Sequence, residues 1–102
     1  MSLELDIMEI ITNAGESKSE AMMALHHAKR GEWDLCDDAL TRSRDAASRA
    51  HAVQTKLIGI DEGEGKIPVT LVMVHAQDHL MTAMLANELI KEMIEVYRHK
   101  VY

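Results

Sequence analysis

His75 and His79 stand four residues apart in Val74-His75-Ala76-Gln77-Asp78-His79-Leu80. That spacing puts two imidazoles on one side of a helix. Imidazole titrates near neutrality, so a neutral ring is available as a nucleophile. Its attack on a phosphoryl group forms a P–N bond reactive enough to pass the group on. Such a site needs exposure, donors that cradle the phosphate and a ring held in one tautomer. His79 or Thr82 could supply donors. The same residues admit a second chemistry: His75-x-x-Asp78-His79 differs from the inverted zinc-protease pattern, H-x-x-E-H, by Asp for Glu. A zinc hydrolase also needs a third protein ligand and a substrate cleft, and the sequence offers no obvious place for either. A third reading, from another class, is a helical scaffold or regulator that only binds partners.

At about 100° per residue around a helix axis, Val72, Ala76, Leu80, Ala83, Ile90 and Ile94 cluster on one face. Leu71, Asp78, Leu85 and Leu89 cluster on another. The two histidines fall between these faces, flanked by Thr82 and Ala86. A helix with two apolar faces must be covered from two directions. Helices of the same chain cover one face, and the other seeks a second copy of the chain. Asp78 shares a heptad position with Leu71 and Leu85, and a carboxylate in an apolar seam costs free energy unless it is paired or binds a cation. Two readings stay open for it: a partly solvated Asp bonded to a neighbour, or a ring of Asp78 copies around a symmetry axis, holding a hard metal ion through oxygen.

The elements that position these residues are three long segments, about Leu3–Lys29, Trp33–Ile60 and Pro68–Tyr102, within a single domain spanning 1–102. The breaks are Arg30-Gly31-Glu32 and Asp61-Glu62-Gly63-Glu64-Gly65-Lys66, the latter followed by Pro68, the only proline. Ile7, Ile10, Ile11, Ala14, Ala21, Met22, Leu25 and Ala28 recur at helical spacing. Gly15 interrupts that segment, which predicts either a bend or the close approach of another helix. The second segment has one thin apolar side, with Asp37, Asp38, Arg42, Arg44 and Arg49 in solvent. The fold class is all-α: an antiparallel, up-down three-helix bundle that self-associates through the third helix.

Composition agrees. Aromatics are 3% with no Phe, and eight Met join Leu, Ile, Val and Ala as the available core, a palette suited to helices. The net charge of −6 argues against a nucleic-acid partner, which requires a basic face. No apolar run reaches the roughly 20 residues that span a bilayer, so membrane insertion is not expected. Cys36 is the only cysteine, which rules out an internal disulfide and suits the cytoplasm. Asp34, Asp37 and Asp38 surround it, which opposes thiolate formation and makes it inert. His26, His27 and His99 lie at helix ends, where a cation favours the dipole. His51 is expected to be buried and hydrogen-bonded.

The stretch Val74-His75-Ala76-Gln77-Asp78-His79-Leu80-Met81-Thr82 resembles the active-site segment of the lactose/cellobiose family of enzyme IIA proteins of the sugar phosphotransferase system. Ala83-Met84-Leu85-Ala86-Asn87-Glu88-Leu89, Ala50-His51-Ala52-Val53-Gln54-Thr55 and the Gly31-Glu32-Trp33 turn extend the similarity over roughly Ile10 to Arg98. The resemblance implies a homotrimer of three-helix bundles with a phosphorylated histidine at His75, a supporting His79 and a metal-binding aspartate on the trimer axis at Asp78. It implies a carrier that accepts phosphate from the histidine phosphocarrier protein and donates it to a cysteine of enzyme IIB. A lactose- or cellobiose-type disaccharide is then phosphorylated as it enters through enzyme IIC. With only oxygen ligands at the axis, Mg²⁺ or a similar divalent cation suits better than zinc. The glycines of the Asp61–Lys66 loop leave its conformation open.

Overall fold

A computed structural model describes residues 2–99 as three helices, α1 (Leu3–Lys29), α2 (Trp33–Asp61) and α3 (Leu71–Arg98), with no strand among the described residues. Residues 100–102, which the sequence pattern assigns to the third helix, lie outside that range. Local chemistry sets each boundary. Ser2 caps α1 by accepting the Leu5 amide at 3.3 Å, and Glu4 and Asp6 sit in its first turn while His26, His27 and Lys29 close its last, the charge order that a helix dipole favours. Gly31, with φ +73°, reverses the chain, and Glu32 ties the turn together by accepting from His27 Nδ1 at 2.9 Å and Arg30 Nε at 2.8 Å. Those bonds, His27 first, hold the Glu32 carboxyl below its ordinary pKa. The third helix begins later than Pro68: Thr70 is its cap and accepts the Met73 amide at 3.3 Å.

The glycine-rich loop has a definite organiser. Glu62 and Gly63 leave α2 at φ 53° and 70°, the left-handed exit that ends many helices. The chain then folds back on Asp61, whose carboxylate accepts the Ile67 amide at 2.8 Å and the Gly65 amide at 3.3 Å. These backbone donors, Ile67 foremost, hold its pKa below the usual carboxylate range.

The bundle runs up, down, up and measures 56 × 20 × 19 Å. Helix α1 packs against both partners, whereas α2 and α3 touch far less. The interior forms two clusters. One joins Ile7, Ile10 and Ala14 to Val53, Leu57, Met73, Ala76 and Leu80; the other joins Ala24, Leu25 and Ala28 to Cys36, Ala39, Ile90 and Ile94. Early α1 thus meets early α3 and late α1 meets late α3, so these two helices are parallel. Many core positions are fully buried alanines, which lets the axes approach closely. Between the clusters lies one polar layer with a residue from each helix. The Ser43 hydroxyl donates to the Ser17 carbonyl at 2.6 Å and accepts from Asn87 Nδ2, and the Ser17 hydroxyl lies 3.2 Å from that of Ser43, so all three side chains of the layer are partnered, as burial requires.

Three expectations change. Val72, assigned to the inner face of helix three, is exposed, and Met73 takes the core position. The helix starts at Leu71, so its first turn is oriented by Thr70 rather than by continuation from Pro68. His51 is exposed on α2 instead of buried. Cys36 is buried, and burial, reinforced by Asp37, pushes its thiol pKa up.

Candidate functional site

Helix α3 carries the site. His75 and His79 follow each other by one turn, and their rings lie 5.7 Å apart and within 7° of parallel. His75 is exposed and His79 half-buried, the division of labour expected if one ring reacts and the other supports it. What faces His79 from α1 is Gly15: a Cβ built there would sit 3.4 Å from His79 Nε2. Burial holds the His79 imidazole below its ordinary pKa; Lys18 of α1 and His75 act in the same direction, and Asp78 opposes them. Burial therefore favours the uncharged ring, in which one nitrogen donates and the other accepts.

Thr82 does not serve as a free donor. Its hydroxyl is turned back on its own helix, 2.9 Å from the Asp78 carbonyl and 3.1 Å from that of His79, a common arrangement for a mid-helix threonine. Gln77 accepts from Gln54 Nε2 of α2 through its side-chain oxygen and directs its own amide at Met73 Sδ, 3.9 Å away. Beside His75, the donor left on α3 is His79, which narrows the choice left open by the sequence. Lys18, which sequence pattern did not single out, makes no ion pair among the described residues and is the cation of α1 whose field reaches His79.

Asp78 is exposed, and it lies on the stripe predicted for it. Leu71, Val74, Met81, Leu85, Leu89, Met93 and Val96 stand on that face of α3 and are all exposed, with Leu71 at 86% and Val96 at 69%. Neither α1 nor α2 covers them. Among the described residues no three His, Cys, Asp or Glu side chains converge on a point that could hold a metal ion. The other carboxylate of this face, Glu92, stands about four turns from Asp78 along α3, so a cation at Asp78 would need ligands from other copies. No third ligand joins His75 and His79, as a hydrolytic zinc would require.

An open cleft of about 370 Å³ lies between the end of α2, the loop and the start of α3, lined by Leu57, Ile58, Ile67, Val69, Met73 and Val74. It holds no histidine, and its only carboxylate, Asp61, is occupied by the loop amides. His75 and His79 lie outside it, on the neighbouring surface of α3. No helix among the described residues is long and apolar enough to cross a membrane.

Comparison with known proteins adds an independent line. The family model described as the lactose/cellobiose-specific IIA subunit of the PTS system matches residues 5–98. The N,N'-diacetylchitobiose-specific EIIA component of Escherichia coli K12 is 53% identical over 95 residues, which span 93% of this chain and 82% of that protein. The crystal structure of the PTS cellobiose-specific enzyme IIA from Bacillus anthracis superposes with a TM-score of 0.89 at 36% identity, covering 96% of this chain and 91% of the other. The chitobiose IIA in its solution complex with HPr from the Escherichia coli phosphotransferase system gives a TM-score of 0.82 at 50% identity, covering 96% and 95%.

Proposed function

The chain belongs to the lactose/cellobiose-specific IIA subunit family of the phosphotransferase system, and on that premise we propose that His75 is the residue on which it carries a phosphoryl group. The observation that carries the assignment is the exposed His75 ring stacked on a half-buried His79. The donor is HPr, the histidine phosphocarrier protein, with which the chitobiose relative forms a complex. A ring nitrogen of His75 attacks the phosphorus of phosphorylated HPr; the new N–P bond forms as the bond to the donor histidine breaks. The group next passes to a cysteine thiolate of enzyme IIB, forming P–S and releasing His75 unchanged. His79 supports the transfer by donating a hydrogen bond toward the phosphoryl oxygens. The carrier acts in the cytoplasm on behalf of a membrane component that takes up a disaccharide.

The working unit is a homotrimer assembled through α3. A bare apolar stripe along the helix's length is more than an isolated chain leaves in water, and a second and third copy of the same face cover it. Asp78 would then lie on the axis, where three carboxylates repel one another in a poorly hydrated seam. A divalent cation such as Mg²⁺, held by Asp78 from each chain, would offset that repulsion and takes no part in the transfer.

Incubation with the general phosphotransferase proteins and labelled phosphoenolpyruvate tests the assignment. The chain should gain an alkali-stable, acid-labile label, His79→Ala should gain it slowly, and His75→Ala should gain none while keeping its helical content. Label persisting on His75→Ala would sink the assignment.

A further inference from the structure

The chain has five glycines, and four have plain explanations or none is needed. Gly31, Gly63 and Gly65 adopt positive φ in turns, and a Cβ at any of them would meet open space. Gly59 lies in α2 with nothing within 4 Å of its absent Cβ. Gly15 differs from all of them. It sits in the middle of α1 with ordinary helical backbone, where glycine costs about 1 kcal/mol relative to alanine. Its conformation does not call for glycine; its neighbour calls for a small side chain. The one atom close to its missing Cβ is Nε2 of His79, at 3.4 Å.

We propose that Gly15 is a positioning residue for phosphoryl transfer: its bare backbone forms a notch on α1 that seats the His79 imidazole and keeps it stacked on His75. The inference rests on the carrier reading of His75. A methyl group at residue 15 would stand at the near edge of ordinary contact with the ring, so alanine fits. Branching at Cβ adds carbons about 1.5 Å further out, and a β-branched side chain in a helix has essentially one rotamer with which to avoid them. Valine therefore drives the ring out of the notch. Helix propensity works the opposite way, since both alanine and valine are better helix formers than glycine. Placement of the His79 ring thus asks for a small side chain at residue 15, whatever helix propensity alone would favour.

The test is phosphorylation kinetics from HPr on the full chain, for wild type, Gly15→Ala, Gly15→Val and Gly15→Leu, each also in a His79→Ala background, with thermal melts of every variant. Gly15→Ala should melt higher than wild type and accept phosphate at a similar rate. Gly15→Val should slow the maximal rate by about 10- to 100-fold, the scale set by misplacing a group by about 1 Å, with little change in the half-saturating concentration of HPr. With His79→Ala already present, Gly15→Val should cost no further rate, because the ring it displaces is gone. Gly15→Leu, which is helix-favouring, carries the same expectations if valine impairs folding. Equal slowing in both backgrounds, or a wild-type rate for a folded Gly15→Val or Gly15→Leu, overturns the proposal while the carrier reading stands. A wild-type chain that takes no label overturns both.

Discussion

Replacing Asp78 with Leu and with Arg probes the α3 stripe in opposite directions. The seven exposed apolar residues around Asp78 together leave the equivalent of about four complete aliphatic side chains in water. At about 1.5–3 kcal/mol for each side chain fully covered, a closed seam is worth at most about 6–12 kcal/mol per chain. Three carboxylates about 5 Å apart repel by about 3 kcal/mol per pair at an effective dielectric of about 20, which is one pair per chain. The apolar term is larger, so the wild-type trimer should survive a chelator, though it should dissociate at higher protein concentration than with Mg²⁺. Asp78→Leu removes the repulsion and extends the seam, and it should tighten association by up to about 100-fold per chain, the equivalent of roughly 3 kcal/mol. It should also make association indifferent to the chelator. Asp78→Arg brings three bulkier, permanently charged groups to one axis; with no shared proton or metal to neutralise them, the cost of burying each ion, several kcal/mol, adds to the repulsion, and the variant should yield monomers. Sedimentation across a dilution series, with and without chelator, measures all three. A monomeric wild type, or a trimeric Asp78→Arg, means that Asp78 does not lie on an axis.

Asn87→Ala removes the donor to Ser43 and leaves a small void between the two core clusters; it should destabilise the bundle by about 1–3 kcal/mol in denaturant titration, and a loss below about 0.5 kcal/mol would mean that the polar layer contributes little. Asp61→Ala should speed amide exchange at Gly65 and Ile67 at neutral pH without altering the helices. Because the folded-state pKa of Asp61 is depressed, its contribution is complete above the unfolded value, about 3.9, and fades as pH falls toward the folded one. Wild type should therefore lose loop protection on acidification, while Asp61→Ala stays flat over the same window. Cys36, buried with its thiol pKa raised, should resist alkylation at pH 8 until the chain unfolds; rapid labelling of native protein would contradict its place in the core.

The three helices were legible because each break carries a stop signal and each segment keeps its helical period, and their observed limits differ by a few residues at most. Helical angles alone put Asp78 on an uncovered apolar stripe and the two histidines beside it. Side-chain rotation and inter-helix proximity were not legible. Val72 and Met73 are adjacent and both apolar, and spacing does not decide which one turns inward: Met73 is buried and Val72 exposed. The Thr82 hydroxyl could have faced a ligand, but it bonds within its own helix. Ser17, Ser43 and Asn87 each fall on the apolar stripe of their own helix, between Ala14 and Ala21, Ala39 and Ala46, and Ala83 and Ile90, so spacing marks them as inward-facing, but no periodicity within one helix shows that the three meet in one layer. Gly15 left a signal, as a helix-weakening residue among helix formers, although the partner that accounts for it is remote in sequence.

The buried layer of Ser17, Ser43 and Asn87 has a consequence for the other end of the molecule. Alanine-rich helix faces are nearly uniform along their length, and apolar contacts alone would tolerate sliding α1 against α3 by one turn, about 5.4 Å. Such a slip would leave Asn87 and the serines facing hydrocarbon, at about 1–3 kcal/mol for each polar group stranded. The layer thus acts as a detent that makes sliding discrete and costly. Ser17 lies only two residues beyond Gly15 on α1. The axial alignment that brings α1 opposite His79 is therefore set by hydroxyl and amide groups that never approach a phosphoryl group.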